Sequence, residues 1–224
     1  MTSFLVVLSG LAWTVVYIEC IRVGLRDRTY AMPLAALGLN IAWESTYAVH
    51  GLAGALGAQP VINLLWALLD LVIVYTFVQF GRAEFPTLSG RLFAGWGVLI
   101  FASSYAVQWL FIGQFGWTDA AKYSAFLQNL LMSGLFIAML VARRGIRGQS
   151  MLIAVAKWIG TLAPTIAIGV YEHSPFILGI GILCSVFDLV YIGLLRNAQR
   201  RGSRRSSVAD TQHGEQRGGA AELR

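Results

Sequence analysis

Long apolar runs separated by short polar breaks dominate this chain. Stretches 2–21, 33–54, 60–80, 91–112, 121–142, 151–171 and 175–195 are each mostly apolar. Each reaches the length of about 20 residues that a helix needs to cross the hydrocarbon core of a bilayer. Pro33 and Pro175 stand near the first turn of their runs, where a missing N–H costs little. Almost nothing is left over for a soluble domain. The pattern therefore predicts an all-α, seven-transmembrane-helix bundle over 1–196 with short loops. Residues 197–224 are rich in Arg, Ser and Gly without apolar periodicity, and this predicts a basic, disordered tail. The first run lacks a positive segment before it, is too long for a signal peptide and is followed by its basic residues, so it reads as a retained span.

Composition agrees with the pattern. Of 224 residues, 57% are hydrophobic and only 12% charged, which places the chain among membrane proteins. Its net charge of +6 is first an orientation signal. Arg22, Arg26 and Arg28 follow the first run, Arg82 and Arg91 lie between the third and fourth, and Arg143, Arg144 and Arg147 between the fifth and sixth. Arg196, Arg200, Arg201, Arg204 and Arg205 follow the seventh, whereas the alternate loops hold only Lys122. The asymmetry predicts an N-terminus outside and a C-terminus in the cytoplasm. The tail's basic cluster reads as a stop signal rather than a binding site, and no interleaved aromatics point to nucleic acid. Cys20 and Cys184 fall within apolar runs without metal-ligand spacing and are expected to be free, buried thiols.

The stretch 38-GLNIAWESTYAVHG-51 departs from this apolar background by placing Glu44 inside a span. A charged side chain near the bilayer centre costs at least about 2.5–3.5 kcal/mol on insertion scales, so such residues usually face the bundle interior and serve a function. Asp70 and Asp188 lie comparably deep. At about 1.5 Å of rise per residue, the three acids sit roughly 15, 15 and 20 Å from the outer ends of their spans. Asn40, Trp43, Glu44 and Tyr47 share one side of a helix by their spacing of three and four. Trp66 stands one turn before Asp70, and Cys184 and Tyr191 bracket Asp188. Gln108 and Asn129 add deep polar groups, while Lys157 is read as lying near a cytoplasmic end. Unpaired carboxyls in a dry site favour their neutral form, and a neutral acid in an aromatic-lined cavity is a proton donor. A single buried acid can simply hydrogen-bond a neighbouring helix; three at similar depth in so small a bundle favour a site.

Three segments carry a resemblance. NIAWE (40–44), LLDLVIVYTFVQFGRAEF (68–85) and FDLVYIGLL (187–195) resemble the integral-membrane terpene cyclases of meroterpenoid and indole-diterpene pathways. These include fungal enzymes of the pyripyropene and paxilline routes and bacterial ones that make drimentine-type prenylated tryptophan cyclodipeptides. The resemblance implies that Glu44 and Asp188 are the catalytic pair and that Asp70 matches a third acid of the family. It further implies cyclisation begun by protonating an epoxide or a terminal alkene. Nothing in the chain resembles DDxxD or DxDD, so neither a metal nor another cofactor is expected.

The expected function is thus a membrane-embedded terpene cyclase, in a bacterial cytoplasmic membrane, acting on a prenylated aromatic or alkaloid substrate. A farnesylated substrate from an upstream prenyltransferase fits best, since it would partition into the bilayer. Asp70, Asn40, Trp43, Tyr47, Trp66 and Tyr191 are candidates for the pocket. A small proton-coupled transporter would also use midplane acids, but it would usually carry an internal repeat, and none is visible. A retinal photoreceptor would need a lysine deep in the last span, which has none.

Overall fold

The computed structural model describes residues 1–54 and 57–221, with side chains described through Gly202. Among the described residues it is all helical. The α-helices are α1 (Thr2–Asp27), α2 (Leu34–Ala53), α3 (Ala58–Phe80), α4 (Gly90–Arg143), α5 (Met151–Pro164) and α6 (Pro175–Ala221). A 3-10 turn, Gly81–Glu84, follows α3, and a π-helical segment, Thr165–Tyr171, continues α5. The helices pack round a closed ring in the order α1, α3, α2, α4, α6, α5 and back to α1. Large apolar side chains such as Leu11, Leu65, Val78, Leu110 and Val186 are exposed on its outside. Such a surface suits lipid rather than water.

Helix ends follow local chemistry. Pro33 caps α2 and Pro175 opens α6, where a proline needs no intrahelical donor. Ser89 and Ser150 accept hydrogen bonds from Leu92 N and Leu152 N, at 3.3 and 3.1 Å, and so cap α4 and α5. Pro164 lies inside α5 and cannot donate to the carbonyl of Gly160. Ser9 Oγ of α1 donates to that carbonyl instead, at 2.7 Å.

The described helices do not by themselves show seven spans. Five stretches are long and apolar enough to cross a membrane: Thr2–Asp27, Ala58–Glu84, Gly90–Arg143, Met151–Tyr171 and Pro175–Gly202. The expected loop at 113–120 is helical apart from Gly116 (φ 71°, ψ 170°), and the fourth and fifth runs are two helices that meet at a kink on that glycine within Gly90–Arg143. Stretch 34–53 falls outside the five, since Asn40, Glu44, Ser45, Thr46 and His50 dilute its apolar content. The element α6 is described through Ala221. Residues 222–224 lie outside the described residues. Cys20 and Cys184 are free and buried, as expected.

One end of the bundle is tied by a polar knot. Glu84 accepts from Thr29 Oγ1 at 2.6 Å and pairs with Arg147 at 2.9 Å and Arg143 at 3.7 Å. Arg143 also lies 4.4 Å above the Tyr30 ring and donates to the Tyr30 carbonyl. Gly148 closes the knot: its N–H donates to Asp27 Oδ2 at 2.8 Å, and its φ of +70° is one that glycine adopts without strain. An added Cβ there would collide with Arg143 Nη1 and come within 2.7 Å of Thr29 Cγ2. We expect Gly148→Ala to lower stability by about 1–3 kcal/mol, read as a fall in the thermal midpoint of the detergent-solubilised protein. An unchanged midpoint would mean that the knot yields freely.

Candidate active site

The stripe on α2 turns inward. Asn40, Glu44 and Tyr47 are all buried, and their spacing of four and then three keeps them on one face. On α3 the pair Trp66 and Asp70, four residues apart, does the same. A third helix joins them: Tyr17 of α1, fully buried, donates from its hydroxyl to Glu44 Oε1 at 2.9 Å. Asn40 Nδ2 donates both to the Tyr17 hydroxyl and, at 2.9 Å, to Asp70 Oδ2. Two carboxyls, an amide and a phenol thus form one continuous network across three helices. Trp66 supports it by stacking on the Tyr17 ring at 5.8 Å and anchoring its own Nε1 on Thr14 Oγ1 at 3.1 Å.

Among the described residues neither Glu44 nor Asp70 has a salt-bridge partner. Glu44 Oε2 and Asp70 Oδ1 are buried and accept no hydrogen bond. An isolated carboxylate in such a place would be costly, whereas a carboxyl bearing its proton carries no net charge. With Glu44 Oε1 already accepting from Tyr17, the oxygen left for that proton is Oε2.

Asp188 belongs to a different network, and here the expectation of unpaired acids is corrected. Lys157 Nζ donates to Asp188 Oδ1 at 2.9 Å and Oδ2 at 3.1 Å, and to Ser133 Oγ at 2.7 Å. Relative exposure is 0% for Lys157 and 1% for Asp188. The lysine therefore lies inside the bundle, seven residues into α5, and is paired. Asn129 enters the same network through Thr161, to whose Oγ1 it donates at 2.6 Å, and Thr161 in turn donates to the Lys157 carbonyl. The second half of α4, α5 and α6 meet at this pair.

The remaining candidates divide between two places. Trp43 Nε1 donates to the Ala121 carbonyl at 3.1 Å, and its ring lies 4.8 Å from Tyr47, so both reach from α2 toward the second half of α4. Tyr47 meets Trp117 edge-on at 5.9 Å. Tyr191 points elsewhere: its hydroxyl donates to Gln149 Oε1 at 2.8 Å and its ring packs on Phe136. Sequence reasoning missed Tyr17 and the pairing of Lys157 with Asp188. The spacing of Trp13, Tyr17 and Cys20 on one side of α1 was the available signal for the tyrosine.

Residues 1–201 match the family described as Pyr4-like transmembrane terpene cyclases. The chain belongs to that family. It is therefore a multi-pass integral membrane protein and a relative of named terpene cyclases. It is 34% identical over 164 residues to the Pyr4-family terpene cyclase mfmH of Annulohypoxylon moriforme, covering 70% of this chain and 66% of that one. To the terpene cyclase pyr4 of Aspergillus fumigatus it is 26% identical over 220 residues, covering 89% and 88%. The terpene cyclase ascF of Acremonium egyptiacum is 31% identical over 169 residues, covering 68% and 61%. These relatives of the Pyr4-like chain are fungal. No solved structure matches it.

Proposed function

We propose that this Pyr4-like chain is a protonation-initiated, metal-independent terpene cyclase of a bacterial membrane, and that its substrate is a farnesylated aromatic or alkaloid of the drimentine type. The observation that carries the reading is the setting of Glu44. Tyr17 occupies one of its oxygens, the other is buried without a partner, and among the described residues no cation pairs with it. Such a group can give a proton to an epoxide oxygen or a terminal alkene carbon. General acid catalysis needs a carboxyl that is neutral at the working pH. Asp70, joined through Asn40, sits as the second carboxyl of the same network. The faces of Trp43, Tyr47 and Trp66 suit the stabilisation of carbocations, and a closed interior keeps water from quenching them. Asp188 is the second catalytic residue.

The test is to incubate membranes bearing the protein with farnesylated substrates, with and without a terminal epoxide, and look for cyclised isomers. Because no acidic diphosphate-binding motif is present, we expect turnover to survive EDTA. Loss on chelation with recovery on adding Mg²⁺ would remove the mechanism.

We further propose that all seven apolar stretches cross the bilayer, the two halves of α4 crossing separately on either side of Gly116, with the N-terminus outside. The bend at Gly116 and the one-sided arginines support this topology. Single cysteines placed in 50–60, 113–120 or 172–175, after replacement of Cys20 and Cys184, are expected to react with an impermeant reagent from outside. Labelling from the cytoplasmic side alone would invert the assignment.

A further inference from the structure

Tyr17 is held at both its ring and its hydroxyl. Trp66 stacks on the ring, with centroids 5.8 Å apart and planes inclined by 28°, and Trp13 flanks it at 6.3 Å. Trp66 is fixed in turn through Thr14, whose hydroxyl accepts from Trp66 Nε1 at 3.1 Å and donates to the Gly10 carbonyl at 2.8 Å. The Tyr17 hydroxyl has one hydrogen to give. Asn40 Nδ2 donates to its oxygen, so that hydrogen is directed to the acceptor on the other side, Glu44 Oε1, at 2.9 Å. Asn40 is itself anchored, because Nδ2 also donates to Asp70 Oδ2 at 2.9 Å.

This orientation matters for a carboxyl that gives up a proton. A hydrogen bond to a neutral carboxyl is an ordinary one, whereas the same bond to a carboxylate is charge-assisted and roughly twice as strong. When Glu44 releases a proton from Oε2, resonance spreads the negative charge over both of its oxygens. Part of that charge develops on Oε1, where the Tyr17 hydrogen already points. A donor aimed in advance at developing charge lowers a barrier without reorganisation, most effectively where water is excluded. The ring alone would satisfy the packing against Trp66; the hydroxyl is what packing leaves unexplained.

We propose that Tyr17 is a positioning residue for the initiating proton transfer: its hydroxyl stabilises the carboxylate that Glu44 becomes, and Asn40 keeps that hydroxyl aimed. The inference rests on the cyclase reading above. In the step, the Glu44 Oε2–H bond breaks and its electron pair stays on the carboxylate. The proton bonds to the terminal alkene carbon through the π pair, or to the epoxide oxygen through a lone pair, and the substrate becomes cationic. Tyr17 keeps its own proton throughout.

The experiment compares the wild-type protein with Tyr17→Phe, which removes the donor and keeps the ring, in membranes supplied with farnesylated substrate. The lost interaction strengthens only toward the transition state, so kcat is expected to fall about 10–100-fold while KM stays within about twofold. The product pattern should not change, because the ring still shapes the same space. Infrared spectra of the membranes give a readout that needs no turnover. The neutral carboxyl C=O band that disappears in Glu44→Gln should move to higher frequency in Tyr17→Phe, since its oxygen loses a donor. Wild-type kcat in folded Tyr17→Phe, a loss confined to KM, an altered product pattern or an unmoved band overturns the proposal. If Tyr17→Phe fails to accumulate, 3-fluorotyrosine introduced at position 17 takes its place, being a stronger donor of nearly the same shape. There kcat should rise at least about twofold and the band should move to lower frequency; any other result overturns the proposal. Glu44→Gln, run alongside, separates the two readings. Normal substrate consumption by it removes the cyclase assignment to Glu44, whereas its inactivity beside wild-type kcat in Tyr17→Phe removes only the role of Tyr17.

Discussion

Glu44→Gln should accumulate in the membrane like the wild-type protein and lose nearly all cyclisation, leaving linear prenylated substrate. The change retains length and polarity. The amide oxygen can still accept from Tyr17 as Glu44 Oε1 does at 2.9 Å, and the amide nitrogen takes the place of the oxygen that has no partner. A neutral carboxyl and an amide are both uncharged, so stability should change little. What disappears is the transferable proton. General acids typically contribute about 10²–10⁴-fold to rate, and here no alternative acid lies in the same position. Asp70→Asn should be milder, because Asp70 makes no hydrogen bond to Glu44 itself and joins its network through Asn40 and Tyr17. The measurement is product formation per unit of correctly inserted protein. Near wild-type turnover by Glu44→Gln would reduce the glutamate to a helix-packing residue.

The second large effect is on stability. Lys157→Met removes the cation from a site where Asp188 is 1% exposed. Breaking a buried pair by deleting one partner typically costs about 3–5 kcal/mol, since the remaining charge is stranded. We expect a strongly lowered unfolding midpoint in detergent, and recovery of most of the loss when Asp188→Asn is added. The recovery is the informative outcome. If the double variant is no more stable than Lys157→Met, the two side chains contribute separately and the ion pair is not the unit that matters.

The knot at the end of the bundle shows a similar division between chain and fold. Arginines at 143 and 147 are visible in the sequence as a basic loop and set an expected orientation. Their pairing with Glu84, some sixty positions earlier, is not visible there. The same holds inside. The α2 stripe was legible because Asn40, Glu44 and Tyr47 lie on one helix, where spacing alone puts side chains on a common face. Tyr17 was harder, since α1 is apolar on most sides and periodicity does not say which side turns inward. The partner of Lys157 was not legible, because a lysine near the start of an apolar run can turn its ammonium to the membrane surface or inward to a partner. The choice depends on Asp188, 31 positions away.

By itself, then, the sequence determined that the chain is helical, apolar enough to live in a membrane and furnished with three deep acids. Those properties depend on composition and on the rise and turn of a single helix. Tertiary structure decided which acid has a cation and which does not, through the ring of helices that brings α5 against α6 and α1 against α3. It also decided where 91–112 and 121–142 divide: two helices meet at a kink on Gly116, whose backbone is not helical. The sequence supplies the carboxyls. Their different surroundings, one phenol and an empty oxygen for Glu44 and a buried ammonium for Asp188, come from contacts between distant helices that no local pattern encodes.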